Sequence, residues 1–273
     1  MPEEIITLPK KAAQYGSYSD KMIAHLAGKK SKSAYLNQFL GKPIMKLGVL
    51  FSSGKDSCYS TLIIKRQNYE ISCLITMKSN NPDSYMFHTP NVNLARLQAE
   101  AMEVPLIEFE TAGEKDNELD DLEAAIKKAV ELYGIHGIVT GALYSNYQRE
   151  RIEKICDSLG LKIFSPLWHI DQETLMRNLL KQKFRFILSS IAADGLDKTW
   201  LGREITSKDI DKLAELNKKN GMNIAGEGGE FESLVLDCPL FNRKIEILDS
   251  KIECSSENSC RFIVNEAKLV NNH

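Results

Sequence analysis

The sequence predicts an α/β fold, a doubly wound parallel sheet followed by a smaller C-terminal α+β domain. Strand-like and helix-like segments alternate between residues 45 and 165. The strand-like segments are nearly continuous apolar runs, as expected for parallel strands that are buried on both faces. A Ser/Gly loop joins the first strand to the first helix, at the carboxyl edge where open α/β sheets bind ligands.

The individual elements follow from apolar periodicity and from the polar residues that flank it. Strands are predicted at Leu47–Phe51, Ile71–Met77, Leu106–Phe109, Gly137–Leu143 and Lys162–Ser165. Helices are predicted between them at Ser57–Gln67, Asn91–Met102, Leu119–Tyr133 and Asn146–Leu159.

After Trp168 the pattern changes, which indicates a second domain. Helices are predicted at Asp171–Lys181 and Ser207–Asn220, the latter ending at Gly221, and strands at Phe184–Ala192, Ser233–Asp237 and Ile245–Leu248. We place the domain boundary near residue 184, which gives domains of residues 45–184 and 185–273.

Composition restricts the class of protein. The 273 residues are 43% hydrophobic and 26% charged, which is typical of a globular chain. The apolar runs are strand-sized and the N-terminus lacks a signal-peptide core, so we expect neither a membrane span nor secretion. Six scattered cysteines without a CxxC pair predict reduced thiols and a cytoplasmic location, not a zinc ribbon or a dithiol redox site.

Residues 1–44 differ from the rest in charge. They carry seven lysines and three acidic residues, whereas the whole chain has a net charge of −2. We interpret them as an N-terminal extension. It is either a basic arm that contacts RNA or a ribosomal partner, or a poorly ordered solvated tail. We favour the tail and expect no direct contact with nucleic acid.

The most informative segment is KLGVLFSSGKDSCYS, from Lys46 to Ser60. A strand runs into a Ser/Gly loop that opens a helix, and free backbone N–H groups at a helix start hold anions, most often phosphate. The spacing is not that of a Walker A loop. Ser52, Ser53, Gly54, Lys55, Asp56 and Ser57 resemble instead the SGGxDS pyrophosphate loop of the N-type ATP pyrophosphatases.

That resemblance implies a Rossmann-like ATP pyrophosphatase domain, with one departure from the pattern. Ser53 stands where the pattern has its first glycine, and a positive φ there would cost about 1–2 kcal/mol with a serine. The alternative interpretation is an ordinary strand-to-helix turn capped by Ser or Asp.

A second cluster, GALYSNYQRER at 141–151, begins where a buried strand ends. Gly141 would let a ligand approach the backbone, and Gln148 could bind an amide-like edge. Arg149 or Arg151 could pair with phosphate or carboxylate. The alternative is a helix entrance with surface arginines.

A third cluster, GEGGEFE at 226–232, projects Glu227, Glu230 and Glu232 from a tight, glycine-rich turn. Clustered carboxylates suit a cationic ligand, a metal or an incoming amine. The alternative is an acidic surface turn.

Together these segments resemble the diphthine–ammonia ligases. The matching pieces are SSGKDS (52–57), MFHTPN (86–91), GALYSNYQRERIEKICDSLGL (141–161), PLW (166–168) and GEGGEFESLVLDCPLF (226–241). The resemblance covers the chain from about Met45 onward. It implies amidation of a diphthine side chain on translation elongation factor 2 with ATP and ammonia, releasing AMP and pyrophosphate.

The residues and the resemblance together assign roles. ATP is expected at the 52–57 loop, Gly141 and Gln148, with Asp56 as a ligand of Mg²⁺. Lys55, Asp56, Glu227 and Glu230 are the candidate catalytic residues. The quaternary ammonium of diphthine favours carboxylates and an aromatic ring such as Trp168 or Trp200. The candidate substrate-binding residues are His88, Tyr147, Arg149, Arg151, Trp168, Gly226, Gly228, Gly229 and Glu232.

Two other classes of function remain open. The first is another adenylating enzyme of the same ATP fold, which modifies tRNA or amidates a small molecule. A tRNA thiolase would need a persulfide cysteine, zinc ribbons or an iron–sulfur site, and the scattered cysteines oppose this. The second class is a nucleotide-binding sensor without enzymatic activity.

Overall fold

The computed structural model describes residues 44–79, 91–112 and 118–271, without the side chains of Tyr147 and Gln148. The chain divides into the units Met1–Ile44 and Met45–His273, and all the described helices and strands belong to the second. The first half of that unit contains β1 (Lys46–Leu50), α1 (Lys55–Arg66), β2 (Glu70–Ser79), α2 (Ala95–Met102), β3 (Leu106–Thr111), α3 (Glu118–Tyr133), β4 (Gly137–Val139), α4 (Asn146–Ser158) and β5 (Lys162–Phe164). The second half contains α5 (Gln172–Lys181), β6 (Arg185–Ala192), α6 (Ser207–Asn220), β7 (Phe231–Asp237), β8 (Arg243–Ser256) and β9 (Ser259–Asn271).

The first half is built on a parallel five-stranded sheet in the order β3-β2-β1-β4-β5. This confirms the predicted α/β class. Leu47 and Val49 of the central strand are completely buried, as the continuous apolar run predicts. The strand order reverses between β1 and β4, so the loops that follow these two strands leave the same edge side by side. In such sheets this switch point is where ligands bind.

The second half contains an antiparallel sheet in the order β7-β6-β9-β8. The predicted second domain is therefore present in architecture. The boundary near residue 184 stays a prediction; α5, which precedes it, packs against α6. Helix α6 begins with a capping box between Thr206 and Asp209 and ends at Gly221, which has a φ of +78° as a C-cap glycine should.

The last hairpin was only partly predicted from the sequence. The prediction covered Ile245–Leu248 of β8 and missed β9 entirely. Most residues of β8 beyond Ile247 are exposed and polar. Such a ribbon lacks the apolar run or clean alternation that identifies a strand in sequence, and only its pairing with β6 through β9 defines it.

Two further expectations need correction. Residues Thr140–Leu143 were predicted to continue the fourth strand, but β4 ends at Val139 and these residues form the loop at the switch point. Cys254 and Cys260 lie opposite each other on β8 and β9 and form a disulfide, so the prediction of reduced thiols is wrong for this pair. Cys58, Cys73, Cys156 and Cys238 are free and buried. Among the described residues, no helix is long and apolar enough to cross a membrane.

Contacts between the halves position the candidate site. Strand β7 packs against α1, the helix that follows the Ser/Gly loop, and α2 packs against β8 and β9. Both helices of the first half that contact these strands thus connect it to the second half, and one of them begins at the Ser/Gly loop.

We predict that a chain starting at Met45 folds independently, because all described elements lie in the unit Met45–His273. Its melting temperature should stay within about 4 °C of the full chain, which for this size corresponds to about 1 kcal/mol. Calorimetry of both proteins measures this. Aggregation of the shorter chain, or a loss above about 2 kcal/mol, would show that residues 1–44 belong to the folded unit.

Candidate functional site

The phosphate loop, residues Ser52–Ser57, follows the central strand and opens α1. Gly54 is the N-cap residue and makes no side-chain cap hydrogen bond, so the alternative of a Ser- or Asp-capped turn is wrong. The hydroxyl of Ser57 accepts from the backbone N–H of Ser52 at 3.3 Å and donates to the carbonyl of Gly54 at 3.1 Å. The loop is thus closed on itself, and the first turn of α1 offers backbone N–H groups to an anion.

Ser53 has the conformation for which the resembling pattern uses glycine. Its φ is +69°, and its side chain is completely buried. Its carbonyl accepts from Gln98 Nε2 at 3.0 Å and from the backbone N–H of Val235 at 3.2 Å. Its hydroxyl is buried without a hydrogen-bond partner. The surrounding contacts therefore hold a left-handed serine that is unfavourable by itself.

Lys55 is a buried cation at the start of α1. Its side chain is 4% exposed, its Nζ lies 2.7 Å from Asp56 Oδ2, and it sits 5.6 Å from the centroid of the Phe231 ring on β7. The second carboxylate oxygen of Asp56 is buried without a hydrogen-bond partner. A buried, unpartnered carboxylate oxygen is an incomplete interaction that a cation can complete.

This oxygen fits Mg²⁺, which prefers oxygen ligands and usually takes most of them from water and substrate phosphates. Within residues 44–79, 91–112 and 118–271, no three His, Cys, Asp or Glu side chains are grouped to hold a metal ion. The single Asp56 oxygen suits a metal that takes its other ligands from water and from the phosphates of ATP.

Gly141 lies in the loop after β4 and packs on the phosphate loop. A Cβ atom there would lie 2.9 Å from the backbone N of Ser57 and 3.0 Å from the carbonyl carbon of Asp56. The sequence predicts that a ligand approaches this glycine. In the structure the start of α1 approaches it, which brings the two switch-point loops together.

Glu227 and Glu232 lie close enough to the phosphate loop to interact with it electrostatically. Burial raises the pKa of Glu227 to about 7, the charge of Asp56 raises it further, and Lys55 opposes this shift. Burial likewise raises the pKa of Glu232 to about 7, with Lys55 opposing and with Asp56 and Glu227 adding to it. We call Glu227 and Glu232 the acidic pair; each keeps its proton to near-neutral pH.

Glu230 has a different place. Its Oε1 accepts from the backbone N–H of Asn223 at 3.0 Å and its Oε2 from that of Gly228 at 2.8 Å. The side chain thus closes its own loop, helped by Gly226 and Gly229 with φ values of +77° and +85°. A Cβ at Gly228 would lie 2.7 Å from Glu230 Oε1, so the glycine at this position gives the Glu230 side chain room to hold the loop.

An aromatic column, formed by Tyr144, His169 and Trp168, lies beside Glu227. Tyr144 donates its backbone N–H to Glu227 Oε2 at 3.3 Å and its ring stacks on His169 at 5.2 Å. Trp168 follows at 5.0 Å from His169, and the Arg149 guanidinium lies 4.6 Å from the Trp168 ring. Arg149 thus contacts the Trp168 ring and also forms an ion pair with Glu153, with its Nε 2.6 Å from Glu153 Oε1.

The other predicted residues divide into three groups. Arg151 is half-buried on α4. Trp200 is buried beneath Arg203 in the second half and is no candidate for the ligand. His88 and the side chains of Tyr147 and Gln148 lie outside the described residues.

Four residues of the site were missed in the sequence: Gln98, Ser233, Tyr144 and His169. Gln98 carried a signal, because it is the one polar residue among Ala95, Ala99, Ala101 and Met102 on the buried face of α2. For Ser233 the sequence contains no such signal, since a serine in a strand is common. The Lys55 backbone N–H donates to its hydroxyl at 3.1 Å.

The strain at Ser53 can be tested. Ser53→Gly should stabilise the protein by about 1 kcal/mol, because glycine accepts a positive φ and removes the unpartnered hydroxyl, while it loses part of the gain to chain entropy. Ser53→Ala removes the hydroxyl and keeps the unfavourable φ, so it should gain less. Urea unfolding of the three proteins measures both; a Gly variant no more stable than the Ala variant would contradict a strained backbone.

Comparison with known proteins supports one family for both halves. The diphthamide synthase N-terminal domain family matches residues 45–163, and the diphthamide synthase C-terminal domain family matches residues 171–270. The diphthine–ammonia ligase of Mus musculus is 35% identical over 225 residues, 76% of this chain and 84% of that protein. The diphthine–ammonia ligase of Schizosaccharomyces pombe is 35% identical over 233 residues, 79% of this chain but 38% of that protein.

Among solved structures, a predicted subunit of tRNA methyltransferase from Methanocaldococcus jannaschii is 20% identical over 69% of this chain and 95% of that chain, with a TM-score of 0.35. We draw no conclusion from so distant a likeness. The family matches cover the phosphate loop and the acidic pair alike. The chain therefore belongs to the diphthamide synthase family, that of the diphthine–ammonia ligases.

Proposed function

We propose that the chain amidates diphthine with ammonia, forming diphthamide, AMP and pyrophosphate through an acyl-adenylate. As a member of its family it is an ATP-dependent ligase. One observation supports this course of reaction above all others: the phosphate loop, with Lys55 and Asp56, interacts electrostatically with the acidic pair. A site that binds a triphosphate next to protonatable carboxylates suits adenylation followed by attack of an amine.

In the first step the diphthine carboxylate attacks the α-phosphorus of ATP. The bond from that phosphorus to the bridging oxygen breaks, and pyrophosphate leaves with the electron pair. Negative charge grows on the departing oxygens, and the N–H groups of the phosphate loop and Lys55 stabilise it. Mg²⁺, bound with ATP at Asp56, would supply further neutralisation.

In the second step ammonia attacks the acyl carbon and AMP leaves. Ammonia is mostly protonated at neutral pH, so ammonium must lose a proton before it can attack. In their ionised form the carboxylates of the acidic pair can hold ammonium by charge and accept that proton, because pKa values of about 7 place their titration near the working pH. Amide formation releases a second proton, which the other carboxylate of the pair can accept.

The quaternary ammonium of diphthine is expected beside Glu227. That carboxylate adjoins the aromatic column, and aromatic faces attract quaternary ammonium groups. Arg149 already covers one face of Trp168. We therefore assign the exposed ring of Tyr144 to this role as well as Trp168. The protein that carries diphthine is proposed to be translation elongation factor 2, in the cytoplasm.

Labelled ATP distinguishes this proposal from its alternatives. With diphthine-bearing elongation factor 2 and ammonium, the chain should release AMP and pyrophosphate, and the target peptide should gain an amide by mass spectrometry. ADP as the product, or no turnover, would overturn the proposal. AMP formation that is indifferent to the elongation factor would indicate another adenylated substrate.

The phosphate loop gives a direct prediction. Asp56→Ala and Ser57→Ala should each reduce AMP formation at least about tenfold, because each removes a preorganised group at the phosphoryl centre. Asp157→Ala, at an exposed position of α4, is the matched control and should leave the rate unchanged. Near-normal turnover of both loop variants would refute the assignment of the loop.

Replacing either carboxylate of the acidic pair by an amide should lower the activity and, above neutral pH, maintain or raise the stability. Glu227→Gln and Glu232→Gln should reduce amidation at least about tenfold while changing the Kd for ATP little, since the lost group accepts a proton from ammonium. The pKa values in the folded state, about 7, lie above the ordinary value of 4.5. Ionisation therefore lowers the stability of the wild-type fold as the pH rises from about 4.5 through 7.

Both variants should consequently melt at or above the wild-type temperature at pH 8, and this difference should vanish near pH 4.5. The wild-type amidation rate should also rise more steeply through pH 7 than that of the variants, whose pH dependence reflects only the supply of ammonia. Variants that amidate normally, or that lose ATP binding instead, would contradict the proposed role of the acidic pair as proton acceptor.

A further inference from the structure

The side chain of Gln98 joins the phosphate loop to strand β7. Gln98 lies on α2 and is completely buried. Its Nε2 donates to the carbonyl of Ser53 at 3.0 Å and to the carbonyl of Val235 at 2.8 Å. Both partners are acceptors, so the side chain must present its NH₂ group to them. Its Oε1 is left buried without a hydrogen-bond partner, which is costly for stability.

These bonds determine which way one peptide group of the loop faces. The Ser53 carbonyl accepts from Gln98 and also from the backbone N–H of Val235. A trans peptide is planar, so the N–H of Gly54 points opposite to that carbonyl. Because the carbonyl faces Gln98 and β7, the Gly54 N–H is turned away from them.

The backbone N–H of Lys55, the next one along the loop, points towards β7, opposite to the N–H of Gly54. Lys55 donates its backbone N–H to the Ser233 hydroxyl on β7 at 3.1 Å. Strand β7 therefore takes up the Lys55 N–H as a structural bond. The Gly54 N–H, which faces the other way, is left for an anion at the start of α1.

We infer that Gln98 is a positioning residue for the adenylation step, because it holds the Ser53–Gly54 peptide with the Gly54 N–H directed at the departing pyrophosphate. This inference rests on the proposed function. If the peptide turned over, a carbonyl oxygen would face the phosphates and repel them. Gln98 does not touch ATP; it acts through the orientation of a backbone donor.

Gln98→Glu tests this with almost no change of shape. The variant has at most one O–H donor where the amide has two N–H donors, so at least one of the carbonyls of Ser53 and Val235 faces a carboxyl oxygen that cannot donate, and the peptide should turn away from its native orientation. We expect kcat for AMP formation to fall at least about tenfold, while the Kd for ATP changes by less than about threefold, because the donor acts on charge that develops in the transition state. Gln182→Glu, which makes the same chemical change at a partly exposed residue paired with Arg66, should leave kcat unchanged.

Gln98→Met is the second variant, in case the glutamate prevents folding. It keeps the size of the side chain and removes both hydrogen bonds without adding charge. Its kcat should therefore lie between those of the wild type and the glutamate variant. Rates are expressed per ATP-binding site, which separates positioning from a loss of folded protein. A wild-type kcat per site in the variants that fold, even with a lowered melting temperature, would overturn the inference. If the wild-type chain itself forms no AMP, the proposed function fails instead.

Discussion

The ion pair between the buried ammonium of Lys55 and the carboxylate of Asp56 is the interaction on which the rest of the site depends. A lysine with a side chain only 4% exposed needs nearby negative charge, because burial of an unpaired cation is strongly unfavourable. Asp56 supplies a direct partner from the same loop, and Glu227 and Glu232 interact with Lys55 electrostatically from the second half. Without Lys55 the pKa values of Glu227 and Glu232 would be raised further, because its charge opposes both shifts.

Both halves of the unit Met45–His273 therefore contribute residues to the candidate site. Strand β7 contributes Phe231 against Lys55, Glu232 to the acidic pair, and Ser233 and Val235 to the backbone of the phosphate loop. One short strand thus contacts the phosphate loop and supplies one carboxylate of the acidic pair. A shift of β7 by a single residue would exchange the faces of all these side chains. The register of β7 on β6 therefore determines which side chains reach the phosphate loop.

The site also stores unfavourable interactions. Ser53 has a positive φ and an unpartnered hydroxyl, and one oxygen each of Asp56 and Gln98 is buried without a partner. Neither carboxylate of the acidic pair ionises at its ordinary pKa. Such features are expected where a protein is organised around a ligand that completes its interactions, and the well-packed strands elsewhere supply the stability that offsets them.

The parallel sheet and the phosphate loop could be predicted from the sequence, because both are encoded locally. Buried parallel strands need unbroken apolar runs, and an anion site at a helix start needs consecutive small and polar residues such as Ser52 to Ser57. The glycine-rich acidic loop was visible for the same reason. The hydrogen bonds of Glu230 to its own loop were not, since Glu230 and Glu227 look alike in sequence and only the folded loop distinguishes them. The folded chain was also needed to reveal strand β9, the approach of Gly141 to α1, and the bonds of Gln98 to Ser53 and Val235. Those contacts join residues up to 137 positions apart in the chain, and no local pattern specifies a partner at that separation.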